Sequence, residues 1–242
     1  MMTPLLLVAH GSRDPRANAT TRALARVVAA AHPGLDVRVS FLELASPGPA
    51  VVLRRLAQWA VIVPLLLTNA YHGRIDLPAQ VAGFDVAVAP PLGGPGVHLM
   101  AGLAKRLDAA IARDAYDGLV LAAAGTRMAE ARVVVEQAGA QLGAALGVPV
   151  EVAYAAGSMP TGGEAVAALR ARGATRIAVA SYFLACGRLY DTVTGSAVRA
   201  GAVAVAEPLG ASWDLARLIL ERYECLSTSL PKTSPEASFS NA

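Results

Sequence analysis

The sequence predicts an α/β fold of two tandem, similar units, each a parallel four-stranded sheet flanked by helices. Three observations carry this. Short apolar runs alternate with longer stretches of helical period, the pattern of βα units around a buried parallel sheet. The 242 residues are 55% hydrophobic but only 5% aromatic, a composition that suits small aliphatic side chains packed between helices and strands. The segment LLLVAHGSRD (Leu5–Asp14) returns as LVLAAAGTRM (Leu119–Met128), with alanine in place of the histidine. A repeat near half the chain length implies two copies of one unit, each large enough for its own core.

In the first half, strands are expected near 4–9, 37–42, 60–67 and 84–89. Helices are expected over Arg16–Ala31, where Leu24, Val27 and Val28 share a face, and over Pro49–Gln58 and Val97–Arg113. Pro33-Gly34 and Gly93-Gly94-Pro95-Gly96 punctuate the loops. The second half repeats the order, with strands near 118–123, 149–155, 176–183 and 202–206 and helices near 129–146, 161–171, 190–199 and 212–223. Two more blocks match across the halves: Val37–Pro47 with Val150–Pro160, and the segment from His72 with that from Cys186, at offsets of 113 and 114 residues. The domain boundaries follow as 1–115 and 116–223. Residues 224–242, rich in Ser, Thr and Pro, read as a disordered tail.

The formal net charge is +3, and Lys105 and Lys232 are the only lysines, so the positive charge is nearly all arginine. Arginine's planar fork suits carboxylates and phosphates. No basic run interleaved with aromatics suggests nucleic acid. Cys186 and Cys225 form no CxxC pair, which fits a reducing cytoplasm. The apolar start stops at His10 without a basic leader, and the apolar run Ala60–Leu67 is far below the roughly 18 residues of a membrane span. The GGPG loop lacks the GxxxxGK[ST] arrangement of ATP-driven enzymes.

In open parallel sheets, ligands bind beyond the carboxyl ends of the strands. There the first half carries His10, Glu43 and, after its third strand, His72; the second half carries Ala124, Ala156 and Cys186 instead. Two imidazoles and a carboxylate form a plausible set for a divalent first-row metal with open positions. Whether they meet depends on sheet order. Ser12, Arg13, Arg16, Tyr71 and Arg74 lie near in sequence, with Arg127 and Arg188 matching Arg13 and Arg74. These arginines read either as anion ligands or as clamps retained by both halves. His32 and His98 read as ordinary helix-end residues, and Asn69 and Asp76 as loop and cap residues.

With HGSRDPR, FLELASP and PLLLTNAYHGRIDLP in this order, residues 4–223 resemble the sirohydrochlorin chelatases of tetrapyrrole synthesis. The resemblance implies an ATP-independent class II chelatase fold whose two domains face across a cleft. It also implies insertion of Fe²⁺, Co²⁺ or Ni²⁺, as substrate rather than resident cofactor, into a sirohydrochlorin-type tetrapyrrole. His10 and His72 would then bind metal and accept protons, with Glu43 as acidic partner. Ser12, Arg13, Tyr71 and Arg74 would face the carboxylate-rich macrocycle. Gly73 departs from the β-branched residue that usually follows the family's Tyr-His pair. Two rivals exist: a non-catalytic metal or tetrapyrrole carrier, and a histidine phosphatase, which the alanine at position 9 disfavours because the latter has arginine before its histidine.

Overall fold

Four almost wholly apolar strand segments, Leu5–Ala9 (β1), Ala60–Leu65 (β3), Gly118–Ala123 (β5) and Ile177–Tyr182 (β7), are buried along their whole length at the centres of two parallel sheets; Ser181 in β7 is the exception, and its hydroxyl donates to the Ala206 carbonyl at 2.6 Å. A strand covered on both faces has no solvent side to mark with polar residues, so it reads as a continuous apolar run. Their neighbours are Val37–Phe41 (β2), Val86–Val88 (β4), Val150–Tyr154 (β6) and Ala204–Val205 (β8). The strand orders are β2-β1-β3-β4 and β6-β5-β7-β8, so the second sheet repeats the first. The computed structural model describes residues 2–68, 72–157 and 159–227, with only the backbone at His72. The two-sheet, helix-flanked architecture is the one expected from the sequence.

The helices start where local chemistry satisfies their free N–H groups. Helix α1 (Pro15–Ala31) opens on Asp14, whose carboxylate accepts the Arg16 N–H at 2.9 Å, and carries Pro15 in its first turn. Helix α6 (Gly162–Ala171) opens on a reciprocal pair: Thr161 Oγ1 accepts from the Glu164 N–H while the Glu164 carboxylate accepts from the Thr161 N–H. Helices α2 (Pro49–Leu56), α4 (Val97–Ala110), α5 (Ala129–Leu146) and α7 (Arg188–Arg199) also belong to the expected set. One helix was not expected. After β3 the chain makes a π-helical segment, His72–Asp76, that runs into α3 (Leu77–Val81), burying Leu77 and Val81. Gly73, Pro78 and so short an apolar stripe give no helical signal from sequence, and packing against α2 holds it in place.

The halves exchange their last helices. Helix α4 belongs to the first half but packs against α5, β7 and β8; helix α8 (Trp213–Ser227) belongs to the second but packs on α1 and β3. One core cluster therefore spans both halves, joining Leu5, Leu7, Val61 and Val63 to Leu119, Leu121, Ala178 and Ile219. Each half keeps a smaller cluster on its outer face. Polar contacts follow the same seam: Lys105 Nζ–Asp214 at 2.7 Å, His98 Nε2–Glu221 at 2.8 Å, and the Arg106 guanidinium donating to the Leu209 carbonyl at 2.9 Å. Helix α8 runs on to Ser227, past the boundary expected at Glu224, because its end is docked. The Tyr223 hydroxyl donates to the Thr3 carbonyl at 2.8 Å, and its ring meets His32 edge to face. Residues 228–242, expected as a disordered tail, lie outside the described residues.

Candidate functional site at the strand ends

The sheet order settles which strand ends are neighbours. With β1 between β2 and β3, the residues after Ala9 lie beside those after Phe41 and Leu65. Pairing continues one step past β1 and β2: the Leu42 N–H donates to the Ala9 carbonyl and the Glu43 N–H to the His10 carbonyl, each at 2.9 Å. This backbone link brings the two side chains together, with His10 Nε2 3.2 Å from Glu43 Oε1. Their side chains are 36% and 48% exposed, so both can be reached by a ligand.

Gly11 makes this approach possible. Its φ is +91°, and a Cβ there would overlap the Glu43 carbonyl oxygen. The Gly11 carbonyl lies 2.9 Å from His10 Nδ1. When Nδ1 carries its proton toward that carbonyl, Nε2 presents its lone pair toward Glu43. A proton or a cation between them then satisfies both groups. Two donors each about 2.1 Å from a metal and this far apart subtend roughly 100° at it, within reach of tetrahedral or octahedral coordination.

The second half keeps the frame without the reactive groups. Ala155 and Ala156 donate to the carbonyls of Ala123 and Ala124 at 3.0 and 3.1 Å. Gly125 also has φ +91°, with Ala156's carbonyl where a Cβ would sit. Cys186, opposite His72 in the repeat, lies 3.6 Å from Glu207 Oε2; burial first and then this carboxylate push its thiol up, which disfavours the thiolate a metal would need. Among the described residues, no group of three His, Cys, Asp or Glu side chains gathers to hold a metal. Tyr71 and Asn69 lie outside the described residues, as does the His72 side chain; His72 itself opens the π-helical segment after β3.

A cleft of about 810 Å³ is lined by residues of the loops that follow His10 and Glu43 and is shared by both halves. Ser12, Arg13, Asp14 and Leu44 line one side; Arg188, Asp191, Thr192 and Arg199 on α7 line the other. A smaller pocket of about 160 Å³ is lined by His10 together with Thr21, Leu65 and Leu184. Ser12 lines the cleft, but its hydroxyl accepts the Asp14 N–H at 3.0 Å, and Thr126 treats Met128 the same way at 3.2 Å. That turn belongs to both halves. Arg74 reaches Glu130 at the start of α5, at 2.6 Å, so its guanidinium ties the halves together. Arg16 bridges Asp14 and Asp191 at 2.7 and 2.9 Å and makes a second tie.

Asp14, Leu44, Asp191, Thr192 and Arg199 of the cleft lining escaped the sequence reading, and two of them bear on its chemistry. Arg199 follows Arg188 by three helical turns on the same face of α7, a spacing that carried the signal once α7 was known to start at Arg188. Leu44 is 48% exposed with φ 60°, a conformation no sequence pattern announces.

The CbiX family model matches residues 4–110 and again 118–226, so the same unit is recognised twice in one chain. The fold is similar to that of SirB from Bacillus subtilis with Fe³⁺: TM-score 0.77, 20% identity, 93% of this chain and 95% of the other covered. It is similar also to SirB from Bacillus subtilis subspecies spizizenii in complex with cobalt (TM-score 0.75, 20% identity, 93% and 94% covered). A third similar structure is CbiX, described as the terminal enzyme for siroheme biosynthesis in denitrifying bacteria (TM-score 0.67, 22% identity, 92% and 99% covered). No curated protein matches the chain by sequence. The double family match and the duplicated four-stranded sheets together assign the chain to the CbiX family.

Proposed function

We propose that the protein is an ATP-independent chelatase that inserts Fe²⁺ or Co²⁺ into a sirohydrochlorin-type tetrapyrrole. The observation that carries this reading is the His10–Glu43 pair at the strand ends whose following loops line the cleft, in the one half that keeps both groups. The SirB structures that hold Fe³⁺ and cobalt lend it support, as does the siroheme-forming CbiX.

Metallation replaces two pyrrole N–H protons by one divalent ion, so the site must deliver a cation and remove two protons. His10 Nε2 binds the ion or accepts a proton, one role at a time. Glu43 offsets the ion's charge and passes the proton toward solvent, to which it is open. His72, by its place after β3 and its loss in the second half, is proposed as the second imidazole. As the ring nitrogens take the ion, the His10–Glu43 pair is free to hold one of the two released protons, and His72 accepts the other.

Purified protein is incubated with metal-free sirohydrochlorin and excess Fe²⁺ or Co²⁺, and the absorbance of the metallated ring is followed. Many turnovers per chain, faster than the protein-free background, are expected. Capture that stops at one equivalent identifies a carrier, and a background rate removes the enzymatic reading.

A further inference from the structure

The half without His10 and Glu43 still supplies half of the cleft, and its contribution is positively charged. On α7, residues 188, 192, 195 and 199 recur at the spacing of one helix face. Arg188, Thr192 and Arg199 all line the cleft, and Gly195 between them leaves room beside the Arg199 guanidinium, whose Nη1 lies 3.3 Å from where a Cβ would stand. Arg13 faces them from the loop after β1.

The carboxylates in this cleft are already engaged, since Asp14 and Asp191 both pair with Arg16. Arg13, Arg188 and Arg199 have no ion-pair partner among the described residues, unlike Arg38, Arg74, Arg113 and Arg172, which hold Asp36, Glu130, Asp108 and Glu151. Three guanidinium groups without ion-pair partners thus line one cavity, and together with Arg16 they outnumber its two carboxylates by two. Arg188 and Arg199 are set about 16 Å apart along the helix axis. Side-chain bases that far apart let the two guanidinium groups reach separate anions, which suits a broad ligand with several anions at its edge. Leu44, next to Glu43 in the chain and exposed in a left-handed conformation that L side chains rarely adopt, adds an apolar surface to the cleft.

We propose that Arg188 and Arg199, with Arg13 opposite, bind the peripheral carboxylates of the macrocycle and select polycarboxylate tetrapyrroles over those with few acid side chains. This rests on the chelatase reading for the ligand's class. The degenerate half is then a binding element in its own right, holding the rim of the ring while the first half works at its centre.

The test is titration of the metal-free full chain with two macrocycles, uroporphyrin (eight carboxylates) and mesoporphyrin (two), followed by fluorescence. Wild type is compared with Arg188→Ala/Arg199→Ala, with Arg199→Lys and with Arg54→Ala, an exposed arginine on α2 away from the cleft. The double variant is expected to bind uroporphyrin about tenfold or more weakly, with a shallower salt dependence, while mesoporphyrin binding shifts much less. Arg199→Lys, which keeps the charge, weakens binding less than the double variant does, and Arg54→Ala matches wild type. With sirohydrochlorin and Co²⁺, KM rises more than kcat falls. A double variant that binds uroporphyrin like wild type overturns the proposal, as does a wild type that binds neither ring. If wild type binds uroporphyrin through these arginines yet inserts no metal, the rim site stands and the chelatase reading falls; if metal is inserted and the double variant is unaffected, the rim site alone falls.

Discussion

Gly11 and Gly125 play the same backbone role in two halves that differ in chemistry. Both take φ +91° and both press against a carbonyl of the adjoining strand end, Glu43 in one case and Ala156 in the other. Alanine at either position is both strained and overlapping, so Gly11→Ala and Gly125→Ala should each cost about 2 kcal/mol or more, read as a lower denaturant midpoint. Only Gly11→Ala should also lower the metal-insertion rate of the fraction that remains folded, because only there does the carbonyl belong to the residue that meets His10. Equal losses of activity in both variants would contradict this. His10 and Glu43 were legible in the sequence because the repeat supplies its own comparison, Ala124 and Ala156. Arg199 and Leu44 were not, since their importance arises from a cleft that exists only once the halves are packed.

Among the elements, β7 links the halves through Tyr182 at its end. The Tyr182 hydroxyl accepts the Gly94 N–H at 3.0 Å and donates to the Leu67 carbonyl at 3.3 Å, both from the first half. Burial pushes its pKa up to about 12, slightly offset by the Gly94 hydrogen bond. The unfolded chain releases this proton near pH 10. The native state thus holds the proton more tightly; its stabilisation is complete below pH 10 and declines as pH rises toward 12, by about 2–3 kcal/mol. Tyr182→Phe should be less stable at neutral pH by about 1–2 kcal/mol, because the buried Gly94 N–H loses its acceptor. The gap from wild type should close between pH 10 and 12 in urea titrations; a constant gap would show that Tyr182 does not ionise in that window. The strands themselves were legible as apolar runs bounded by turns. Helix α3 was not, because a five-residue helix after a π-helical segment owes its form to tertiary packing rather than to any periodic stripe.

In the whole molecule, the exchange of α4 and α8 makes two repeats into one core. The sequence pattern shows that a helix has a face to bury, but not which half will bury it, so the expectation of two separate cores missed the exchange. With α8 covering α1 and β3, unfolding should be a single transition, coincident by far-UV circular dichroism and tryptophan fluorescence, and a fragment of residues 1–115 should expose the β3 face and bind a hydrophobic dye. Two separate transitions would contradict a shared core. The same exchange locks the cleft between a half with reactive groups and a half without them, and so fixes the division of labour proposed for the two. Its most direct test is the initial rate of Co²⁺ insertion into sirohydrochlorin by wild type and His10→Ala, with unchanged melting temperatures as the folding control. The expected result is a fall of about 10²–10⁴-fold in the variant, the range for loss of a positioned proton acceptor; a rate within a factor of about two of wild type would contradict it, since that is under 1 kcal/mol of lost transition-state stabilisation.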